Sequence, residues 1–146
     1  METIAQPSDQ GAPIVGFDTG FFRRLYDKDA QAVRAWAEVQ GGRTVGAISC
    51  LTLFELDRLG LRGGVIPRRV AEGFVRSLPH TCRVVWLGPE DGANRLHRAV
   101  RLGHGNGLAF ADAVILTSLL DAGAATVYTT DTDFERYDGP LDVVRL

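Results

Sequence analysis

Cysteine is scarce in this chain: Cys50 and Cys82 stand far apart and form no Cys-x-x-Cys pair. That excludes a zinc ribbon or a disulfide framework and leaves two buried free thiols as the expectation. Long apolar runs are missing as well, none approaching the roughly 20 residues that span a bilayer. The opening Met1-Glu2-Thr3 offers neither the basic region nor the apolar core of a secretion signal. A cytoplasmic protein without membrane contact is therefore expected. Charge of one sign is lacking too, since 16 basic residues face 18 acidic ones for a net charge of -2. No overall basic field exists to gather nucleic acid, and any such contact must be local. Lysine is nearly absent, Lys28 being the only one, so the cations are guanidinium groups suited to bidentate phosphate contacts. What is present, 45% hydrophobic and 23% charged residues over 146 positions, is the composition of one soluble globular domain.

Residues 1–13 carry Pro7, Ser8, Asp9, Gly11 and Pro13 with little apolar content, which reads as a flexible N-terminal extension before a domain spanning 14–146. From Ile14 onward, short β-branched runs alternate with helical patterns. Strands are expected at Ile14–Phe17, Thr44–Ile48, Arg83–Leu87, Thr126–Thr130 and Asp142–Leu146. Helices are expected at Ala30–Gln40, Leu51–Leu61, Pro67–Leu78, Glu90–Leu102 and Ala109–Ala122, with glycine and proline at the joints, Gly103, Gly105 and Gly107 among them. Strands separated by helices imply an α/β fold, a three-layer α/β/α sandwich around a five-stranded, mainly parallel sheet.

Ligands of an open parallel sheet bind beyond the carboxyl ends of the strands, and two strands here run straight into acids. Ile14-Val15-Gly16-Phe17 leads into Asp18-Thr19-Gly20, and Thr126-Val127-Tyr128-Thr129-Thr130 leads into Asp131-Thr132-Asp133. Two more acids interrupt apolar helices: Glu55 within Leu51–Leu56, after Ser49 as a plausible N-cap, and Asp112 within Leu108–Leu116. An ionised carboxylate in such a setting costs several kcal/mol unless it is paired or binds a metal. Oxygen-only donors suit Mg²⁺ or Mn²⁺, ions that activate water for attack at phosphorus.

Each acid also has a plain structural reading. Asp18 can cap the following helix, Glu55 can pair with Arg58 one turn on, Asp112 can favour a helix start, and Asp131-Thr132-Asp133 can be a turn and cap. Only if all four hold does the site vanish. Asp57 lies about 200° around the helix from Glu55 and is left on the solvent face. The run Gly103-His104-Gly105-Asn106-Gly107 follows a helix and lacks dinucleotide-binding spacing. His80, His97 and His104 are scattered and read as surface residues, Trp36 and Trp86 as core or half-buried packing residues. An aspartyl phosphatase would need Asp-x-Asp where this chain has Asp18-Thr19-Gly20. A phospho-receiver would need an acidic pair before the first helix and a lysine at a late strand end. Another Mg²⁺-dependent phosphotransfer enzyme and a non-catalytic regulatory module remain as alternatives.

Four segments in order, Val15–Phe22, Ile48–Leu56, Leu108–Ala113 and Tyr128–Phe134, resemble the PIN domains, in particular the small prokaryotic VapC-like toxins, over nearly the whole chain from Ile14. The resemblance implies a metal-dependent endoribonuclease cleaving single-stranded or structured RNA. It implies Asp18, Glu55, Asp112 and Asp131 as catalytic metal ligands for Mg²⁺ or Mn²⁺, with Asp133, Thr129 and Thr130 as auxiliaries. It further implies a cognate antitoxin as partner and a homodimer, formed through helices on the side of Pro67–Leu78, where Val70, Phe74, Val75 and Leu78 alternate with Arg68, Arg69 and Arg76. That stretch reads equally as an amphipathic helix facing its own core. One departure is Gly20, where many members carry asparagine or serine.

Overall fold

The structure, a computed structural model, describes residues 11–146; the part of the extension read at 1–10 lies outside the described residues. Five strands form one sheet: β1 (Ile14–Phe17), β2 (Val45–Ser49), β3 (Arg83–Val85), β4 (Thr126–Thr129) and β5 (Asp142–Arg145). Their order is β3-β2-β1-β4-β5 and every pairing is parallel. Six α-helices surround it: α1 (Thr19–Tyr26), α2 (Ala30–Gln40), α3 (Cys50–Arg62), α4 (Arg68–Thr81), α5 (Gly92–Asn106) and α6 (Phe110–Asp121). This is the expected three-layer sandwich, its sheet wholly parallel.

Alternation along the strands divides the interior in two. Val15, Phe17, Ile48 and Tyr128 join a core built with Phe21, Phe22, Ala32, Leu53, Leu56, Ile66 and Leu78 from α1 to α4 and the α3–α4 connection. Ala47 and Val127 point to the other face, against Ala99, Leu108, Val114, Ile115, Leu116, Leu119 and Phe134. Phe17 stacks on Phe21 at 4.1 Å and Phe22 meets Phe74 at 5.5 Å. The helix holding Phe74 thus turns its apolar face to its own core, as its periodicity allows.

The chain departs from the sequence reading at three places. Helix α1 has no range in the sequence reading, which offers only Asp18 as the cap of a following helix. It begins directly at the end of β1, with Asp18 as N-cap accepting from the Phe21 amide at 3.1 Å, and its eight residues bury Phe21 and Phe22. Helix α5 continues through the supposed joint at Gly103 and ends where Gly107 takes a left-handed φ of 69°. Gly103 is buried there and α5 packs on α6, so tertiary contact outweighs the weak helix propensity of glycine. Trp86 is 58% exposed rather than packed, because β3 stops at Val85 on the sheet edge and the residue after it leaves the pleat. Trp36, by contrast, packs edge-on against Phe17 and Phe22. Cys82 is buried and Cys50 partly so, both free. Among the described residues no helix is long and apolar enough to cross a membrane.

Candidate metal centre

Strand order fixes where the acids can meet. Chain progression reverses direction on either side of β1, so the crevice beyond the carboxyl ends of β1 and β4 is the switch point of the sheet. Asp18 follows β1 there and Asp131 follows β4. Asp112 arrives in the first turn of α6 from one face, and Glu55 arrives on α3 from the other. Asp57 is exposed.

The side chains are held by hydrogen bonds that leave carboxylate oxygens together. Asp18, 7% exposed, accepts from the Phe21 amide on Oδ1 and from the Thr129 hydroxyl on Oδ2. Thr129 in turn accepts from the Asp131 amide at 2.9 Å, tying the ends of β1 and β4 to one another. Asp131 caps the short 3-10 helix Thr132–Arg136, accepting from the Asp133 amide at 2.9 Å. Thr19 donates its hydroxyl to Glu55 Oε2. One oxygen from each of Asp112, Asp131 and Asp133 lies within 4.8 Å of the other two. The capping roles of Asp18 and Asp131 are therefore real; the Asp131 cap uses one oxygen of its two, which leaves the other for the cluster, while Asp18 accepts on both of its oxygens.

Electrostatics records the crowding. Burial raises the Asp18 carboxyl from 3.8 to about 6, with Asp131 and Glu55 adding to the rise against the hydrogen bonds from Thr129 and Phe21. Asp112 also rises to about 6, through burial and then through Asp131, Asp133 and Glu55. Asp18 and Asp112 thus both feel neighbouring acids as like charge on top of their burial. Among the described residues no ion pair joins Glu55 to Arg58. Among the described residues the cation paired with the cluster is Arg136, 3.4 Å from Asp133 Oδ1 and itself exposed. A hard divalent cation fits this donor set, all oxygen and in excess of local positive charge. Asp112, Asp131 and Asp133 present oxygens close enough to share one ion.

Two features were invisible to the sequence reading. Thr19, never counted among the site residues, fixes Glu55 across 36 positions of sequence. Gly20 has a spatial cause: a Cβ there would overlap the Thr130 hydroxyl and lie 2.9 Å from the Thr130 Cβ. Thr130 thus occupies the volume that an asparagine or serine side chain would need. Gly20→Ser is expected to destabilise the fold by about 1–3 kcal/mol through overpacking. Thr130→Ala in the same chain should recover the larger part of that loss. Urea unfolding of the two single variants and the double checks it; additive effects would show that the two positions are not in contact.

A larger cleft of about 650 Å³ lies along β3, lined by Trp86, Pro89, Arg95 and Asp121. It has a structural explanation. Arg95 is 9% exposed, donates to Asp121 at 2.7 Å and to the Trp86 carbonyl at 2.7 Å, and so ties α5 to α6 and to the edge strand.

Known proteins share this architecture. VapBC2 from Rickettsia felis, solved bound to a DNA fragment from its promoter, superposes with a TM-score of 0.66 at 15% identity, covering 91% of this chain and 98% of that one. A toxin–antitoxin complex from Klebsiella pneumoniae gives 0.64 at 21% identity, covering 89% and 95%. DNA-bound VapBC from Salmonella typhimurium gives 0.61 at 18%, covering 91% and 98%. At these identities the likeness is one of fold. No curated protein matches the chain in sequence. The model of the PIN domain family matches residues 15–140, which takes in β1 from Val15, all six helices and every acid of the crevice, and the chain therefore belongs to the PIN domain family.

Proposed function

We propose that the protein is a divalent-metal-dependent endoribonuclease and the toxin of a toxin–antitoxin pair. The observation that carries the catalytic half is the convergence of acids from separate segments at the switch point, with Asp112, Asp131 and Asp133 oxygens within 4.8 Å of one another and no lysine among them. The partner half rests on the neighbours in fold, one of them a toxin–antitoxin complex and two of them VapBC assemblies bound to DNA.

Asp112, Asp131 and Asp133 would hold the cation, with Asp18 and Glu55 completing the ring of acids. Bound there, a Mg²⁺ or Mn²⁺ ion supplies a Lewis acid for the phosphodiester and lowers the pKa of water. The chain's own residues do the positioning. Thr129 keeps Asp18 turned toward Asp131, Thr19 keeps Glu55 against the crevice, and the 3-10 turn after β4 presents Asp133 beside Asp131. Asp18 is the buried member, and a cation beside it would favour its ionised form against the burial that raises its pKa to about 6. No protein nucleophile is required.

A labelled single-stranded RNA incubated with the purified protein tests the proposal. Cleavage with Mg²⁺ or Mn²⁺ that stops on chelation is the expected result. Intact RNA under every metal condition would overturn it and favour a non-catalytic module on the same fold.

A further inference from the structure

We propose that the cleft between the start of α1 and the outer face of α3 is a subsite for the RNA phosphate backbone beside the cleaved bond, with Arg58 and Arg62 as its phosphate-binding groups; this rests on the nuclease reading above.

The cleft has a volume of about 200 Å³ and is lined by Thr19, Glu55, Arg58, Leu59 and Arg62. Two of those residues belong to the acid centre, so the cleft opens directly from it. Positions 55, 58 and 62 fall on one side of a helix, three and then four residues apart. The guanidinium groups thus form a short track leading away from Glu55. Both arginines are exposed. Neither takes part in an ion pair or a hydrogen bond among the described residues, as is also true of Arg23, Arg24, Arg34, Arg69 and Arg101; what sets this pair apart is that the cleft they line also contains Glu55 and Thr19.

The natural partner of Arg58 would be Glu55 one turn before it, and Glu55 Oε2 is instead held by Thr19. The arginines are therefore left available at the rim of a strongly negative crevice. A polyanion approaching that crevice is repelled unless cations meet it at the edge, and the net charge of -2 provides no general attraction. Two adjacent guanidinium groups beside the carboxylates answer that need, and each matches a phosphate in bidentate geometry. A protein partner bearing acids could use the same pair, but the sharing of Glu55 and Thr19 with the metal centre favours the substrate strand.

Binding of a fluorescein-labelled single-stranded oligoribonucleotide, with Ca²⁺ replacing Mg²⁺ and over a series of salt concentrations, tests the assignment. Arg58→Gln/Arg62→Gln is expected to bind about 5- to 20-fold more weakly. Its log–log salt slope should flatten by about 1 to 1.5, the loss of two phosphate contacts on a single strand. Arg58→Lys/Arg62→Lys should keep the slope. Arg43→Gln, ahead of β2 at the opposite end of the sheet, should behave as the unaltered protein. Unchanged affinity and slope in the glutamine variant would overturn the subsite and leave the cleavage reading standing. An unaltered protein that binds no RNA would instead remove the nuclease reading, and the subsite with it. Retained RNA binding together with lost affinity for a purified protein inhibitor would assign the arginines to that inhibitor and overturn the proposal.

Discussion

Asp112→Asn is expected to lower RNA cleavage by more than about 100-fold while leaving the protein folded and, without metal, more stable. The size follows from the position of the residue. Groups that merely support a metal ligand already cost 10- to 100-fold when removed, and Asp112 contributes an oxygen to the acid cluster itself. The gain in stability follows from the electrostatics. Asp112 sits in the first turn of α6, which favours its charge, yet burial and the charges of Asp131, Asp133 and Glu55 raise its pKa to about 6. At neutral pH the metal-free fold therefore carries an ionised group that the unfolded chain would carry more easily. Asparagine keeps the shape and removes that repulsion. The exposed Asp57→Asn is the control and should change neither property. Initial cleavage rates and thermal melting in chelator measure both halves. Full activity in Asp112→Asn would place the chemistry elsewhere, and lower stability would show that helix-start charge outweighs repulsion in the cluster.

Much of this centre was legible in the sequence, and the reasons differ by residue. The strands announced themselves through Ile14-Val15 and Val127-Tyr128, and the acids following them had to lie at the carboxyl edge whatever the helices did. Glu55 and Asp112 stood out because they interrupt apolar helices, where a charge demands an explanation. The acidic cluster is differently weighted from that reading: Asp133, treated as an auxiliary, stands with Asp112 and Asp131 within 4.8 Å. Its place depends on the 3-10 turn after Asp131, whose geometry a Thr-Asp-Phe run does not specify. Helix α1 escaped notice because its eight residues start directly on a strand end and are too few for a helical period to register, although Phe21 and Phe22 face the core and Arg23 and Arg24 face solvent. The Thr19–Glu55 and Thr129–Asp18 hydrogen bonds join residues 36 and 111 positions apart. Contacts at such separation are settled by sheet order and helix packing, which no local pattern contains.

Mn²⁺ or Mg²⁺ at about 100 times its Kd is expected to raise the melting temperature at neutral pH by about 5–10 °C, since that ratio adds about 2.7 kcal/mol to the folded state. The gain should shrink as pH falls through about 6. Asp18 and Asp112 must shed their protons before they support a cation, and both are raised from 3.8 to about 6. The metal-free protein should move the opposite way. A carboxyl whose pKa is higher in the folded state than in the unfolded chain binds more protons when folded. Its contribution to stability is complete below the unfolded value near 3.8 and is lost as pH rises through about 6. Over that window the metal-free melting temperature should decline with rising pH, while the metal-loaded one declines less or climbs. The two curves therefore diverge toward neutrality, and the divergence belongs to the carboxylates rather than to ionic strength if Ca²⁺-free NaCl at equal ionic strength fails to reproduce it. Asp18→Asn should flatten the metal-free slope, because it removes the more deeply buried of the two titrating groups. Differential scanning fluorimetry across pH, with chelator or metal, measures all three curves. Parallel curves with and without metal would show that the ion, if bound, does not use these acids.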